Sequence, residues 1–483
     1  MRRNMLRKIV IIAFIAVVGA PVEAGADEFL IKNPEVSAAI AVFDAWCQYT
    51  VSYREQPAVS VGIVHDQDLI WAKGYGYADL QNKIPTTPRT VYRIASITKL
   101  FTATAILHLR DAGKLQLDDP VVKYLDWFQP VDTFYNSPII TIRHLLTHTS
   151  GLQRELNETY WDSRNFPEHE DFVRMFQETS TILPRETEYK YSNIAFNILG
   201  EIITTISGEF FADYIGEHVL KPLGMTSSTL MPQESMAMLA RGYGMRDPEQ
   251  PRRVESFYDK KAMAASGNMV STVEDLAKFI SLQFRDSAAG GAQILKGSTL
   301  REMHRVHWLQ SNWKRGRGLG WIVANVDGQT RINHGGFVPG YKTHISVEPS
   351  NRIGIIVLTN SDDGDPQFYL NQAWNIIAPA IKKATARAEQ TPVPDSSWIK
   401  YIGDYEWSDI GGLIKVMLLN GELTIIELPD DNPWKNRIRL EPVSENIFRM
   451  KDQWQKGELI RFEMNDDGEV TRIILPGYSI RRK

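Results

Sequence analysis

The sequence has very little cysteine: Cys47 is the single thiol in 483 residues. One thiol cannot close a disulfide within the chain, so stability has to come from the burial of apolar surface. It also excludes a zinc site built from cysteines. Cys47 lies beside Val42, Phe43 and Trp46 in a segment with helical spacing, and we interpret it as a small core residue rather than a catalytic thiol.

An excess of positive charge is also missing. The chain has 54 Lys and Arg against 58 Asp and Glu, a formal net charge of −4, and no stretch collects its basic residues into a stripe. Nucleic acid is therefore not an expected partner. With 43% hydrophobic and 23% charged residues, the composition is globular and excludes disordered and fibrous classes.

Long apolar runs are scarce, and the one that stands out is Ile9–Ala20 near the N-terminus. Four basic residues precede it and Ala24-Gly25-Ala26 follows it, which is typical of a secretory signal peptide. We predict a signal peptide over residues 1–26 and an exported protein, periplasmic or secreted; an uncleaved N-terminal anchor is the alternative. No later segment has the length and apolarity of a membrane-spanning helix, so we expect no stable span after signal removal.

The spacing of apolar residues divides the rest of the chain into helices and strands. The elements predicted in this way are a helix over 34–52, a hairpin of Ala58–Val64 and Leu69–Gly74, a helix that begins near Ser96, and strands at Tyr341–Glu348 and Arg352–Asn360. The long middle, about 115–310, mixes helical segments with turns. This order predicts an α+β domain over 27–386, with an antiparallel sheet flanked by helices plus a helical subdomain.

The composition changes after residue 386. Residues 387–397 contain Gln390-Thr391-Pro392-Val393-Pro394 and show no periodicity, which predicts a linker. Beyond it, Leu413–Leu419 and Leu423–Leu428 flank Asn420-Gly421, a strong hairpin signal. Similar alternation recurs later, so residues 398–483 are predicted to form a small all-β barrel.

The most informative segment contains Ser96 at the start of a helix and Lys99 three residues later. This spacing puts both side chains on one helical face. A serine hydroxyl needs a neighbouring base to act as a nucleophile, and a helix N-terminus offers backbone N–H groups to an oxyanion. The pattern suits acyl transfer, although a capping serine beside a solvated lysine is the alternative.

A second segment, Tyr191-Ser192-Asn193, places a phenol and an amide one residue apart, where an extended backbone aims both to one side. With the Lys99 ammonium as a neighbour, we expect the pKa of Tyr191 to fall, so that Tyr191 acts as a general base toward Ser96. The alternative is a half-buried tyrosine beside a capping asparagine.

A third segment, His334-Gly335-Gly336-Phe337, carries paired glycines. On a strand, such glycines let a backbone or a substrate approach closely. A turn before the strand at Tyr341 is the alternative.

In this order, the three segments resemble the Ser-x-x-Lys, Tyr-x-Asn and His-Gly-Gly motifs of the serine β-lactamase and penicillin-binding protein superfamily, in its class C β-lactamase-like branch of esterases and D-peptidases. Supporting segments that resemble the same branch are Thr86–Thr90, Leu145–Leu152, Pro222–Met225 and Gly318–Trp321. The resemblance spans about residues 37–385 and implies a β-lactamase/transpeptidase-like fold. Trp398 and Tyr401–Tyr405 look like the opening of a lipocalin-like barrel, which implies a role either in substrate access or in packing alone.

The resemblance also implies roles for individual residues. Ser96 would be the acylated nucleophile, Lys99 its activating and proton-relaying partner, and Tyr191 the base that also protonates the leaving group. Asn193 would orient the substrate amide and Lys99. The third motif, His334, Gly335 and Gly336, would line the substrate, and the backbone N–H groups of Ser96 and Phe337 would form the oxyanion hole.

Two departures from the family pattern bear on the substrate. His334 stands where β-lactamases carry Lys, and Gly335 where they carry Thr, which removes a fixed positive charge and a hydroxyl. We therefore expect a serine hydrolase that acts through an acyl-enzyme on small esters, D-amino acid amides or peptides, or related cell-wall-type substrates, with β-lactam hydrolysis weak or absent. A non-catalytic or slowly acylating protein of the same fold, which binds penicillin or senses muropeptides, is the alternative.

A metal site is a weaker hypothesis. His144 and His148 are four residues apart, but Leu145 stands where a zinc helix of the His-Glu-x-x-His type carries Glu. We expect no metal and no cofactor. The expected partner is a small-molecule or peptide substrate, and the sequence leaves the oligomeric state open.

Overall fold

The computed structural model describes residues 26–134, 136–286, 293–388, 396–407, 412–419, 421–452 and 455–483. Contacts divide the chain into two compact units, with the division between Lys382 and Lys383. Residues 1–25 of the predicted signal peptide and 389–395 of the predicted linker lie outside the described residues. The helix Ala378–Ala388 crosses this division, so the first two residues of the predicted linker are helical.

The first unit is built on a nine-stranded antiparallel sheet, accompanied by a separate two-stranded pair. The strands in chain order are β1 (Ala58–His65), β2 (Asp68–Asp79), β3 (Ile84–Pro85), β4 (Tyr92–Arg93), β5 (Val270–Ser271), β6 (Trp308–Leu309), β7 (Arg315–Arg317), β8 (Ile322–Val326), β9 (Gln329–Val338), β10 (Tyr341–Glu348) and β11 (Ile353–Thr359). The order across the large sheet is β3-β2-β1-β11-β10-β9-β8-β7-β6, and β4 pairs with β5. The predicted hairpin and the two predicted strands after residue 340 are therefore present.

Helices cover this sheet and build the subdomain beside it. They are α1 (Ala26–Lys32), α2 (Pro34–Tyr53), α3 (Thr98–Asp111), α4 (Ile142–Thr147), α5 (Tyr160–Ser163), α6 (His169–Phe176), α7 (Asn193–Ser207), α8 (Phe211–Ile215), α9 (Lys221–Leu223), α10 (Val273–Leu282), α11 (Gly297–His304), α12 (Pro366–Ile376) and α13 (Ala378–Ala388). α10 packs on β1, β2 and β11, while α2 and α12 pack on each other and on the sheet. Because helices cover it, β1 is buried along almost its whole length instead of alternating.

The second unit contains a closed eight-stranded barrel, as predicted. Its strands are β12 (Gly403–Trp407), β13 (Gly412–Leu419), β14 (Glu422–Leu428), β15 (Ile438–Ser444), β16 (Ile447–Met450), β17 (Leu459–Met464), β18 (Val470–Leu475) and β19 (Tyr478–Arg482), with a short helix α14 (Pro433–Asn436). β12 closes the barrel against β19 through Tyr405↔Arg482. Side chains such as Tyr405, Phe448 and Phe462 fill its core.

Among the described residues, no single helix has the length and apolarity needed to cross a membrane. The segments Asn193–Ser207 and Phe211–Leu223 meet the length and composition criteria only when taken together, and they are bent by 83°.

Candidate active site

Ser96 lies in a short 3-10 helix, Ala95–Ile97, that leads directly into α3. Ala95 has a φ of 50°, in the left-handed region that residues with a Cβ rarely adopt. The Thr98 hydroxyl stabilises this turn: it donates to the Ala95 carbonyl at 2.6 Å and accepts from the Met269 N–H at 3.1 Å. Such local strain is typical of functional turns, and here it leaves Ser96 half-buried at the start of a helix.

Lys99 is completely buried, and its Nζ reaches three acceptors. It donates to Ser96 Oγ at 3.3 Å, to Asn193 Oδ1 at 2.8 Å and to the Ser266 carbonyl at 2.5 Å. Burial lowers the pKa of Lys99 to about 7, while the Glu155 carboxylate acts in the opposite direction. Lys99 is therefore partly a neutral amine near neutral pH, and a neutral amine can accept a proton from Ser96.

The Tyr-x-Asn segment lies at the start of α7. Ser192 is the N-cap: its hydroxyl accepts from the Ala195 N–H at 3.1 Å and donates to the Gln153 carbonyl at 2.7 Å. Asn193 is therefore not the capping residue. As the first residue of the helix it is free to bind Lys99 through Oδ1, while its Nδ2 donates to Glu155.

Tyr191 contacts the nucleophile directly, since its hydroxyl donates to Ser96 Oγ at 2.8 Å. The expected fall in its pKa was wrong. Burial raises the pKa of Tyr191 to about 12, although the Ser96 hydrogen bond and the Arg154 charge act in the opposite direction. The phenolate loses more hydration than its neighbours restore, because the ring packs on His148 with centroids 4.5 Å apart and Lys99 is itself disfavoured as an ammonium.

The third motif lies on β9, not in a turn. β9 pairs with β10 through Gly336↔Thr343 and Phe337↔Lys342. Its pairing with β8 ends at Asn333↔Ile322, so the motif that follows has no partner on β8. A Cβ on Gly336 would lie 2.2 Å from the carbonyl oxygen of Ile94, two residues before Ser96. Glycine is therefore required for β9 to approach the nucleophile turn.

His334 is buried in the same strand. Its Nδ1 donates to the Gly335 carbonyl at 2.8 Å, which leaves Nε2 as an acceptor. Burial, helped by the charges of Lys99 and Arg317, lowers the pKa of His334 to about 3. The imidazole is therefore neutral at pH 7.

Two cavities meet at Ser96. The larger, of about 750 Å³, is lined by Tyr189, Tyr191, Arg317, His334 and Gly335 among others. The smaller, of about 300 Å³, is lined by Ser96, Arg154, Glu155, Trp161, Asn193, Lys260, Gly267, Phe337, Val338 and Pro339. Ser96, Arg154 and Phe337 line both, so a substrate bound at Ser96 has room on either side of the reacting bond. A cavity of about 910 Å³ beside α2 contains none of the predicted site residues.

Sequence reasoning missed two residues that support these side chains. His148 follows α4 in a left-handed conformation, and its Nδ1 accepts from the Ser192 N–H at 3.1 Å. Glu155 accepts from Asn193 and, at 2.8 Å, from the Tyr160 hydroxyl. For His148 the sequence did offer one indication, because this residue lies in Leu145–Leu152, a segment that resembles the family.

Arg317 at the end of β7 was missed as well. Its guanidinium lies 3.6 Å from the centre of the Tyr189 ring, and its Nε is buried with no hydrogen-bond partner in the part of the chain that the structure describes. The Arg317 guanidinium forms no ion pair with any described residue. It therefore brings a fixed positive charge to the larger cavity.

The two histidines considered for metal binding have separate partners. His144 Nε2 lies 2.9 Å from Glu186, and His148 binds Ser192. Within the described ranges, no group of three His, Cys, Asp or Glu residues is placed to hold a metal ion.

Comparison with known families decides the relationship. The family model described as Beta-lactamase matches residues 44–378. The chain belongs to the β-lactamase family. Its fold and its relatives make this β-lactamase-family protein a serine hydrolase with an appended eight-stranded barrel.

Two curated relatives and one solved structure illustrate the similarity. An unguisins hydrolase of Aspergillus campestris is 27% identical over 392 residues, 72% of this β-lactamase-family chain and 72% of the relative. Penicillin-binding protein 4* of Bacillus subtilis is 26% identical over 406 residues, which cover 80% of this chain and 86% of the relative. The octameric penicillin-binding protein homologue of Pyrococcus abyssi superposes with a TM-score of 0.64 at 25% identity and covers 91% of this chain and 99% of that chain.

Proposed function

We propose that this protein hydrolyses small esters, or amides and peptides of D-amino acids, through an acyl-enzyme on Ser96. The observation that carries the proposal is the double contact of Ser96 Oγ, with Lys99 Nζ at 3.3 Å and with the Tyr191 hydroxyl at 2.8 Å. A buried amine with a lowered pKa is a suitable base for a serine hydroxyl. A protein that only binds its ligand has no need of such a matched pair.

In the acylation step, Ser96 Oγ attacks the carbonyl carbon of the substrate and its proton passes to the neutral Lys99 amine. Tyr191 then gives its phenolic proton to the leaving group as the bond to that group breaks, and the Lys99 ammonium restores the proton of Tyr191. Water repeats the sequence on the acyl-enzyme and releases the acid. Tyr191 is thus the proton donor to the leaving group, and its raised pKa keeps that proton in place until it is needed.

The negative charge on the carbonyl oxygen needs donors during both steps. We assign this role to the backbone N–H groups of Ser96 and Phe337. The close approach of Gly336 to Ile94 supports the assignment, because it brings the two backbones together.

Weak or absent β-lactam hydrolysis belongs to the same proposal. His334 is neutral and Gly335 has no hydroxyl, so this part of β9 offers neither the charge nor the donor that β-lactamases place there. One relative is named as a hydrolase and another as a penicillin-binding protein, and to bind a penicillin is not the same as to hydrolyse it.

The test is the intact mass of the protein after brief exposure to a fluorophosphonate and, separately, to a penicillin. We expect a phosphonate adduct in the wild type and none in Ser96→Ala. Ser163→Ala, which changes an exposed serine at the end of α5, is the matched control and should label fully. No adduct in the wild type, or an unchanged turnover of esters by Ser96→Ala, would contradict the proposal and favour a binding protein. A stable penicilloyl adduct would indicate a cleft shaped for D-Ala-D-Ala groups.

A further inference from the structure

A second buried lysine, Lys260, lies beside the site and has no part in the proton transfers above. It is 2% exposed and immediately precedes a 3-10 helix, Lys261–Ser266. Its Nζ donates to Ser266 Oγ at 3.2 Å, and that hydroxyl donates onward to the Met263 carbonyl. Within the described part of the chain, no carboxylate lies within ion-pair distance of it. An ammonium has three N–H donors, so two of them have no acceptor here.

The Lys260 amine, which has no carboxylate partner among the described residues, is accessible from the smaller cavity. Gly267 lines that cavity, and a Cβ on Gly267 would lie 3.1 Å from Lys260 Nζ. The missing side chain therefore leaves Nζ open on this side. Ser96 lines the same cavity, so one cavity is shared by the nucleophile and a buried lysine.

The other walls of the cavity add a second cation, Arg154, and apolar surface from Val338 and Pro339. The Trp161 ring centre lies 5.0 Å from Lys260 Nζ, a cation–π contact that favours the charged form of the lysine. The one acidic wall residue, Glu155, is already bound by Asn193 and Tyr160. In such surroundings an ion pair with a ligand is stronger than in water.

A purely structural role explains Lys260 poorly. Burial without a counter-ion costs free energy, and an apolar side chain of the same length would fill the space without that cost. Burial and the nearby Lys99 lower the pKa of Lys260 to about 7, so an entering anion would favour its charged form.

We propose that the smaller cavity selects substrates whose acyl group ends in a carboxylate, and that Lys260 binds this carboxylate. The inference rests on the proposed function, because it assigns one part of the substrate at the same nucleophile. A cavity of about 300 Å³ suits a short dicarboxylic acyl chain. Lys260 is thus a specificity-determining residue that touches the substrate.

The test compares two esters of equal chain length, 4-nitrophenyl hydrogen adipate and 4-nitrophenyl hexanoate, which differ by a terminal carboxylate in place of a methyl group. We expect the wild type to prefer the adipate by about tenfold or more in kcat/KM, as one charge-assisted contact supplies. Lys260→Met should lose this preference while it still turns over the hexanoate. Lys261→Met, which alters the neighbouring lysine that pairs with Glu168, should keep it.

The outcomes separate the two proposals. If the wild type hydrolyses both esters without preference, or if Lys260→Met keeps the preference, the Lys260 proposal is wrong and the proposed function stands. If neither ester is hydrolysed and Ser96 takes no fluorophosphonate, the proposed function itself fails. Should Lys260→Met not fold, as shown by loss of a cooperative urea unfolding transition, Lys260→Gln replaces it. In that variant too, a retained preference contradicts the proposal and a lost one supports it.

Discussion

The pH dependence of Ser96 reactivity distinguishes the two candidate bases. Burial shifts the pKa of Lys99 from 10.5 to about 7, which corresponds to roughly 5 kcal/mol of destabilisation of its ammonium form. Burial shifts the pKa of Tyr191 the other way, to about 12. If Lys99 accepts the proton, reactivity rises with pH as the amine becomes neutral and levels off above about pH 8. At pH 5, two units below the midpoint, it should be about a hundredfold lower than on the plateau.

The assay is the second-order rate constant of fluorophosphonate labelling of Ser96, followed by intact mass from pH 5 to pH 10. The reagent has no titrating group in this range, so the profile reports the protein. Glu155→Gln should move the midpoint down and Arg154→Gln should move it up, because the Glu155 carboxylate raises the pKa of Lys99 and the Arg154 charge lowers it. Rates that climb without a plateau through pH 10 would point to Tyr191 as the base, and a flat profile would refute both assignments.

Lys260 is the neighbouring group whose pKa also lies near 7, so the profile needs one more control. The transition should persist in Lys260→Met if it belongs to Lys99 and vanish if it belongs to Lys260. The buried histidine His334, with a pKa of about 3, cannot supply a transition in this range.

Two further predictions rest on contacts of the site, and a third rests on the N-terminal sequence. Gly336→Ala should abolish Ser96 labelling, because its Cβ would lie 2.2 Å from the Ile94 carbonyl oxygen; Gly216→Ala, which meets nothing within 4 Å, should label normally. Ser192→Ala removes the α7 cap and should cost about 1 kcal/mol in the free energy of unfolding measured by urea denaturation, and an unchanged stability would contradict that role. The full-length chain, expressed in a Gram-negative host, should accumulate in the periplasm without residues 1–26; full-length protein held at the membrane would favour the anchor instead.

The sequence predicted best what depends on local spacing. The helix near Ser96 and the hairpin at β1 and β2 follow from apolar periodicity. The Ser96–Lys99 contact follows from their spacing, because residues three apart lie on one face of a helix. The contact between Tyr191 and Ser96 joins residues 95 positions apart. The chemistry of a phenol and a serine suggested it and the family resemblance supported it, but no local spacing could place the two side chains together.

What the sequence could not supply is burial, which is a property of the assembled fold. The direction of the Tyr191 pKa shift was wrong for this reason: a nearby lysine was visible in the sequence, but the loss of water around both groups was not. Glu155 and Lys260 were missed for a related reason, since each reaches the site from a different loop and carries no spacing signal.

The last prediction concerns Arg317, which supplies a positive charge near the neutral His334. The positive charge that β9 lacks is present on the neighbouring part of the sheet, where the Arg317 guanidinium stacks on Tyr189 in the larger cavity. A leaving group with a free carboxylate, such as the terminal D-alanine of a peptide, would find its partner there. Arg317→Gln should therefore lower kcat/KM for a D-Ala-D-Ala peptide by about tenfold more than for the matching D-alanine amide. Arg315→Gln, an exposed residue of the same strand, should affect both equally little, and an equal loss on both substrates in Arg317→Gln would mean that Arg317 only supports Tyr189.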